Sequence, residues 1–316
     1  MDGIPETLQM VILYFQDPDR ALQFAVRMRW PEGVTCPRCE CDKVYFIASR
    51  RNWECKGCKK HFSVKVGTIM EDSPIGLDKW MCAMWLLGNC KNGISSYEIS
   101  RDLNITQKTA WFLLHRIRLV MQAGSMEKKL CGTVEADETF VGGRAKFMHA
   151  ERRAREIVGR GTVGKTIVMG VLERHGEARV KVVETRRKKD VQAEVRKHVE
   201  PGSNLYTDAL KSYDGLEEFE HEFIDHAVEY VRGKVHTNGM ENFWSLFKRA
   251  LKGTYVSVEP FHLQAYADEQ AFRFNNRAGD DADRFRAMAS NMTGKRLTYA
   301  QLTGKTADDL TTIEPF

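Results

Sequence analysis

Three features of the 316-residue sequence predict a multidomain fold: two C-x-x-C pairs fifteen residues apart, a pair of helices each opened by a capping residue, and a C-terminal half in which strand-like and helix-like segments alternate. The first predicts a zinc ribbon, the second a helix-turn-helix, and the third an α/β domain. The expected boundaries are an N-terminal helical segment over 1–32, the ribbon over 33–66, the helix-turn-helix over 67–125, the α/β domain over 130–290 and a tail over 291–316.

Composition bounds the rest. Hydrophobic residues make up 42% of the chain, enough for packed cores, and the length suits about two domains of ordinary size. No run of about eighteen uncharged apolar residues suggests a membrane span. The first twenty residues carry acidic side chains where a secretory leader needs basic ones, so a cytoplasmic location is expected. The net charge is only +5, but Lys and Arg crowd into 151–165 (ERRAREIVGRGTVGK) and 184–190 (ETRRKKD). Such clusters suit a polyanionic partner, although a charge run by itself is more often a solvated face.

Cys36, Cys39, Cys55 and Cys58 form the two knuckles. Each puts two thiolates on one tight turn, and together they can surround one tetrahedral zinc ion. Two disulfides are the competing reading, disfavoured by the expected reducing compartment. Cys41, Cys82, Cys90 and Cys131 lack such spacing and read as small buried hydrophobes. Val44–Ile47 and Asn52–Glu54 read as hairpin strands, continued by His61–Val64, and so small a module needs the metal to fold. Before it, Asp17–Trp30 reads as a short helix stopped by Pro31.

After Gly67 the pattern turns helical. Leu77, Trp80, Met81, Met84, Trp85 and Leu87 describe an apolar helix ending at Gly88 or Gly93. Ser95 with Glu98 has the form of a capping box, and Asn104 suits a left-handed turn. Thr106 then caps a second helix whose Ala110, Leu113, Ile117 and Val120 face inward. In a helix-turn-helix the second helix enters the major groove, which puts Gln107, Lys108 and Thr109 at base edges. His115, Arg116 and Arg118 are expected on exposed positions, with Arg116 a further DNA contact. An ordinary helical hairpin is the alternative; the adjacent ribbon and the basic second helix favour DNA binding.

From Thr133 the order is three consecutive strands, a crossover helix over Asp190–Val199, a strand at 205–208, a short helix over Lys211–Phe219, a strand at 222–226 and a late helix over 239–251. That is the order of an RNase H-like α/β domain, in which the first and fourth strands lie side by side. Two strands carry Asp137 and Asp208, so these carboxylates meet. On the late helix Met240, Phe243, Phe247, Ala250 and Leu251 form an apolar stripe, while Asn238, Glu241, Ser245 and Lys248 fall on another side. Two strand aspartates and a helix glutamate are what a site needs to hold two divalent cations for phosphoryl transfer. An all-oxygen donor set selects Mg²⁺ (or Mn²⁺) over zinc. Lys248 then holds a DNA phosphate. Glu135, Glu138 and Asp214 read as capping or solvated acids, and Glu269 is the runner-up third acid.

The motifs EADETFVGG, YTDALKSY, HTNGMENFWSLFKRALKGTY and PFHLQAYADEQAFRFNNR, with GTIMEDS, ITQKTAW and the ribbon cysteines, resemble those of DDE-type insertion-sequence transposases, of the zinc-ribbon group related to Merlin transposons. The resemblance covers nearly the full length. It implies a Mg²⁺-dependent enzyme that binds the double-stranded ends of its element, cuts them and joins them to target DNA, working as a homo-oligomer on DNA in a prokaryote. The family's three acids fall on Asp137, Asp208 and Glu241, with the basic residue at Lys248. A DNA-binding regulator is the alternative, but it predicts a damaged triad. An RNase H-like nuclease without strand transfer is another, and it has no need of separate DNA-reading modules.

Overall fold

The computed structural model describes residues 4–122, 128–142, 151, 164–224 and 235–304. The chain divides into two compact units, one built from 1–123 with 276–316, the other from 124–275.

The first unit opens with α1 (Leu8–Phe15), capped by Thr7, whose hydroxyl accepts from the Met10 amide. α2 (Pro18–Arg29) follows between Asp17, which accepts from the Asp19 and Arg20 amides, and Trp30. A carboxylate cap and a first-turn proline are strong start signals, and they put this helix where the sequence expects it. β1 (Val44–Ile47), β2 (Asn52–Cys55) and β3 (His61–Phe62) make an antiparallel three-stranded sheet in that order. Its small core is aromatic: Trp53 meets Phe46, Phe62 and Trp30.

α3 (Leu77–Asn89) is buried on most sides and runs through Gly88 to a cap at Cys90. α4 (Ser96–Asp102) starts in the expected capping box, the Ser95 hydroxyl accepting from the Glu98 amide while the Glu98 carboxylate accepts from the Ser95 amide. Asn104 turns the chain at φ +48°, and Thr106 caps α5 (Gln107–Met121). Ala110, Leu113, Ile117 and Val120 are buried as expected.

The second unit is a mixed sheet between helices. Its strands are β4 (Thr133–Val141), β5 (Thr166–Glu173), β6 (Ala178–Val183), β7 (Asn204–Asp208) and β8 (Glu220–Ile224), in the spatial order β6-β5-β4-β7-β8. The first three are antiparallel neighbours, and β7 joins β4 in parallel after a crossover through α6 (Lys188–His198). Alternation along the strands separates two cores. Val134, Ala136, Met169 and Val171 pack with Val191 and Val195 of α6, while Val168 and Leu172 face α7 (Asn238–Ala250) and α8 (Leu263–Asn275). The helix expected over Lys211–Phe219 is only one turn, Lys211–Tyr213, because Leu216 and Phe219 leave helical register to enter the α6-side core. Most of the basic stretch 151–165, namely 152–163, lies outside the described residues.

After α8 the chain returns to the first unit as α9 (Asp281–Ser290) and α10 (Tyr299–Thr303). This corrects the expected boundary at 290. Phe285 of α9 lies buried against Phe15, Phe24 and Trp85, and residues 292–294 pair with 67–69 through the Ile69–Met292 and Gly294–Gly67 hydrogen bonds. The apolar face of α3 needs these partners, so α9 belongs to that core. Among the described residues no helix is long and apolar enough to cross a membrane.

Candidate active site

The parallel ladder of β4 and β7 pairs Thr133 with Asn204, Val134 with Leu205 and Glu135 with Tyr206. Two residues further along each strand come Asp137 and Asp208. Carboxylate oxygens of Asp137, Glu138 and Asp208 all lie within 4.8 Å of one another. Asp137 is fixed at both oxygens, Oδ1 accepting from the Glu138 amide at 2.8 Å and Oδ2 from the Trp244 indole at 3.0 Å. Asp208 Oδ1 accepts from the Leu210 amide at 3.0 Å. Glu138 accepts from the hydroxyl of the buried Tyr213. Burial, and then the charge of Asp208, push the Asp137 carboxyl up to about 6. Burial does the same to Glu138, up to about 7, with the Tyr213 hydroxyl pulling the other way and Asp208 adding to the rise. Three carboxylates crowded this closely are a place for cations.

Helix α7 lies across this cluster because the sheet yields room for it. An added Cβ at Gly170 would meet Met240 Cε at 2.3 Å and the Trp244 ring at 2.8 Å, and one at Gly239 would meet Leu172 at 2.5 Å and Glu135 at 2.8 Å. Glu135 is the helix's anchor. It is 1% exposed, accepts from the Met240 amide at 3.0 Å in the first turn of α7, and is paired with Arg174 Nε at 2.8 Å. Arg174 also donates to the His236 carbonyl at 2.8 Å. A carboxylate at a helix N-terminus is favourable for both, so Glu135 is a capping acid, reached from a strand.

Glu241 stands exposed in the first turn of α7, near enough for its charge to contribute to the raised Asp137. Lys248, two turns on, is half-buried; burial lowers its pKa and the Asp137 charge opposes that fall. Asp137, Asp208, Glu241 and Lys248 therefore share one neighbourhood, with Trp244 between the last two. Glu138 corrects the sequence reading: it is neither a cap nor solvated, but part of the carboxylate cluster. Neighbouring strand residues project to opposite faces, so alternation separates Glu138 from Asp137. The ladder to β7 stops two residues short of the aspartates, and there both carboxyls reach Asp208. Trp244 reads from the sequence only as bulk, and nothing in its spacing signals the bond to Asp137. The runner-up Glu269 is fully buried and paired with Arg273 and the Tyr255 hydroxyl.

In the ribbon, the four Sγ atoms of Cys36, Cys39, Cys55 and Cys58 also lie within 4.8 Å of one another. The Cys36–Cys58 and Cys39–Cys55 separations are 3.8 and 3.5 Å, close to the ~3.8 Å edge that Zn–S bonds of about 2.3 Å imply for a tetrahedron. The Cys58 amide points at Cys55 Sγ and, as the largest influence, draws that thiol down to about 6. The cluster fits a structural zinc.

The expected DNA contacts on α5 divide. Lys108 is exposed at the start of the helix, whereas Gln107 donates to Ser96 Oγ at 2.8 Å and Thr109 shares a 2.8 Å hydrogen bond with Thr106. Arg116, expected on the surface, is only 5% exposed; it donates to the Glu71 carbonyl and stacks over Trp80 and Phe112. His115 and Arg118 are buried too. With 3.6 residues per turn, 115, 116 and 118 flank the apolar stripe at 113, 117 and 120, and Trp80 of α3 with the Glu71 carbonyl covers Arg116.

Residues 129–275 match the ISXO2-like transposase domain, and residues 16–61 match the transposase zinc-ribbon domain. A transposase-like protein of Haemophilus influenzae is 37% identical over 84 residues, 26% of this chain and 68% of the relative. The chain belongs to the DDE transposases of insertion sequences. A protein of the transposable element ISH50 of Halobacterium salinarum is also similar, 29% identical over 256 residues that span 77% of this chain and 86% of the relative. Within the transposase the domain match ends at Asn275, the last residue of α8, where the second compact unit also ends.

Proposed function

We propose that this transposase binds the ends of its insertion sequence, cuts them with the help of divalent cations, preferably Mg²⁺, and joins the freed ends to target DNA. The observation that carries the reading is the convergence of Asp137, Glu138 and Asp208, covered by a helix that brings Glu241 and Lys248. Asp137 and Asp208, with Glu241 or Glu138 as the third acid, would hold the cations. Bound there, two cations would supply charge to offset what grows on the attacking and leaving oxygens of a phosphodiester. The chain's own part is positioning. The Trp244 indole fixes which way Asp137 presents its oxygens, and Glu135 with Arg174 holds the start of α7, and so Glu241, against the sheet. Lys248 meets a phosphate oxygen and orients the strand. Water attacking phosphorus releases the 3′-oxygen, and the resulting 3′-hydroxyl can attack a target phosphodiester in the same site. α4 and α5 act as a helix-turn-helix that reads end DNA chiefly through the exposed Lys108, with Gln107 and Thr109 joining only by giving up their bonds to Ser96 and Thr106. The ribbon adds backbone contacts, and the complex on DNA is homo-oligomeric.

The test is cleavage of a labelled end fragment in Mg²⁺, beside a gel shift. Asp137→Asn, Asp208→Asn and Glu241→Gln each keep size and remove the charge. Each is expected to lower cutting by about 10³-fold or more, the several kcal/mol that metal-assisted charge stabilisation supplies, with end binding near wild type. Normal cutting by Glu241→Gln together with loss in Glu138→Gln moves the third acid to the strand. Normal cutting by all of them ends the metal-site reading.

A further inference from the structure

We propose that the first unit holds a pocket for one unstacked nucleobase of DNA, a binding site separate from the carboxylate cluster. The inference rests on the reading of the chain as a DNA-binding transposase. The pocket is a cleft of about 220 Å³ with the partly exposed rings of Phe112 of α5 and Tyr299 of α10 on its walls and the fully buried Trp80 of α3 behind them. The cleft is half-open, with exposed Asp72 and Lys108 at its mouth. It is smaller than the roughly 300–1,000 Å³ of pockets that take a drug-sized ligand, which limits the occupant to one or two fused rings.

Charge narrows the class. The Arg116 guanidinium lies 5.5 Å from the Trp80 ring centre and 5.2 Å from that of Phe112, and Lys108 Nζ lies 4.9 Å from that of Tyr299. Arg116 is 5% exposed and donates to the Glu71 carbonyl, so it forms the inner wall, and among the described residues lining the cleft only Lys108 offers an exposed cation. The acid on the wall, Asp72, is already paired with Arg296 at 2.7 Å, so among the described residues the free charge at the pocket is that of Lys108. Accessible aromatic rings, here Phe112 and Tyr299, and an exposed ammonium for the neighbouring phosphate are what single bases bind to on proteins. The mouth adjoins Lys108 and Thr109, at the end of α5 that is offered to DNA. The base arrives either by extrusion from the end duplex or from an unpaired flank; both present the same ring and phosphate.

The experiment uses the full chain and a fluorescein-labelled end duplex carrying one abasic position at a time, the same labelled strand unpaired, and a random duplex, read by anisotropy. The wild type is expected to lose about tenfold in affinity at one abasic position, the scale of one base stacked on an aromatic ring. Tyr299→Ala and Phe112→Ala are expected to bind the intact DNA about tenfold more weakly and to show no further loss at that position, while Tyr299→Phe behaves as wild type. Tyr299→Leu, which keeps apolar volume, serves if the alanine variant loses its native circular dichroism. An abasic effect in the duplex identifies extrusion; an effect confined to the single strand identifies a flank. Wild-type affinity of the variants for every DNA overturns the proposal and points instead to a protein side chain as occupant. Equal abasic losses in variant and wild type overturn it as well. If end and random duplexes bind alike, end recognition fails on its own, and the pocket is judged by the same cycle on the unpaired strand.

Discussion

The four cysteines of the ribbon lie between residues 36 and 58, on turns at one end of a hairpin, whereas the carboxylate cluster is drawn from positions 137, 138 and 208 across two parallel strands. The ribbon has little core beyond Trp53 and its ring neighbours, so an ion held by its four thiolates would carry much of its fold. The sheet has cores on both faces, supplied by α6 on one and α7 and α8 on the other. Its fold stands on apolar packing, and it can hold acids whose crowding opposes the folded state. One metal would make its structure; the others would relieve a structure already made.

That contrast is broken or sharpened by removing each charge or ion in turn. The largest effect is expected at the ribbon. Cys55→Ser, or chelation, is expected to cost most of the roughly 10–16 kcal/mol that structural zinc contributes to small domains, with the ribbon becoming protease-sensitive while the second unit melts as before. Zinc measured at one equivalent per chain in Cys55→Ser, or melting of both units together, would erase the distinction.

At the sheet the opposite sign is expected. The Asp137 and Glu138 carboxyls stand near 6 and 7, above their ordinary range. Their protonated forms favour the folded unit, a contribution present at low pH and lost as pH rises through 6 to 7, on the order of 3 kcal/mol for each group and not additive between them. The metal-free second unit is therefore expected to lose stability between about pH 4 and 7, and Asp137→Asn to flatten that slope and melt higher at pH 8. Thermal melts in chelator, pH by pH, check it; a wild type that grows more stable with pH over this window contradicts the raised carboxyls.

The smallest effect belongs to Lys248, half-buried beside the cluster. Lys248→Ala is expected to weaken cutting about tenfold, through one lost phosphate contact that positions the strand, and to leave the pH dependence of stability nearly as it was. A loss as large as that of Asp137→Asn would give the lysine a part in bond making.

Legibility followed the distance over which each feature is made. Knuckle spacing, the Ser95–Glu98 box, the Asp17 and Thr106 caps and the left-handed Asn104 are interactions within a few residues, and the sequence states them outright. Strand order after Thr133 was readable because crossovers through a helix force parallel neighbours, which carried Asp137 to Asp208. The exposure of Arg116 was misjudged because helical period separates faces only for the surface a helix is assumed to bury, and α3 covers a wider arc of α5 than its apolar stripe marks.

By itself, then, the sequence determined the donor types and their local spacing: thiolates in pairs, aspartates on strands, a glutamate and a lysine two turns apart. Tertiary structure alone decided which acids converge. Glu138 joins Asp137 only where the ladder to β7 stops, Trp244 finds Asp137 only because Gly170 lets α7 lie close, and residues 276–304 leave the sheet domain for the first unit only because α3 exposes an apolar face that Phe285 can cover. These are contacts between residues tens to hundreds of positions apart, set by which surfaces must be buried together, and periodicity along one segment carries no record of its partner.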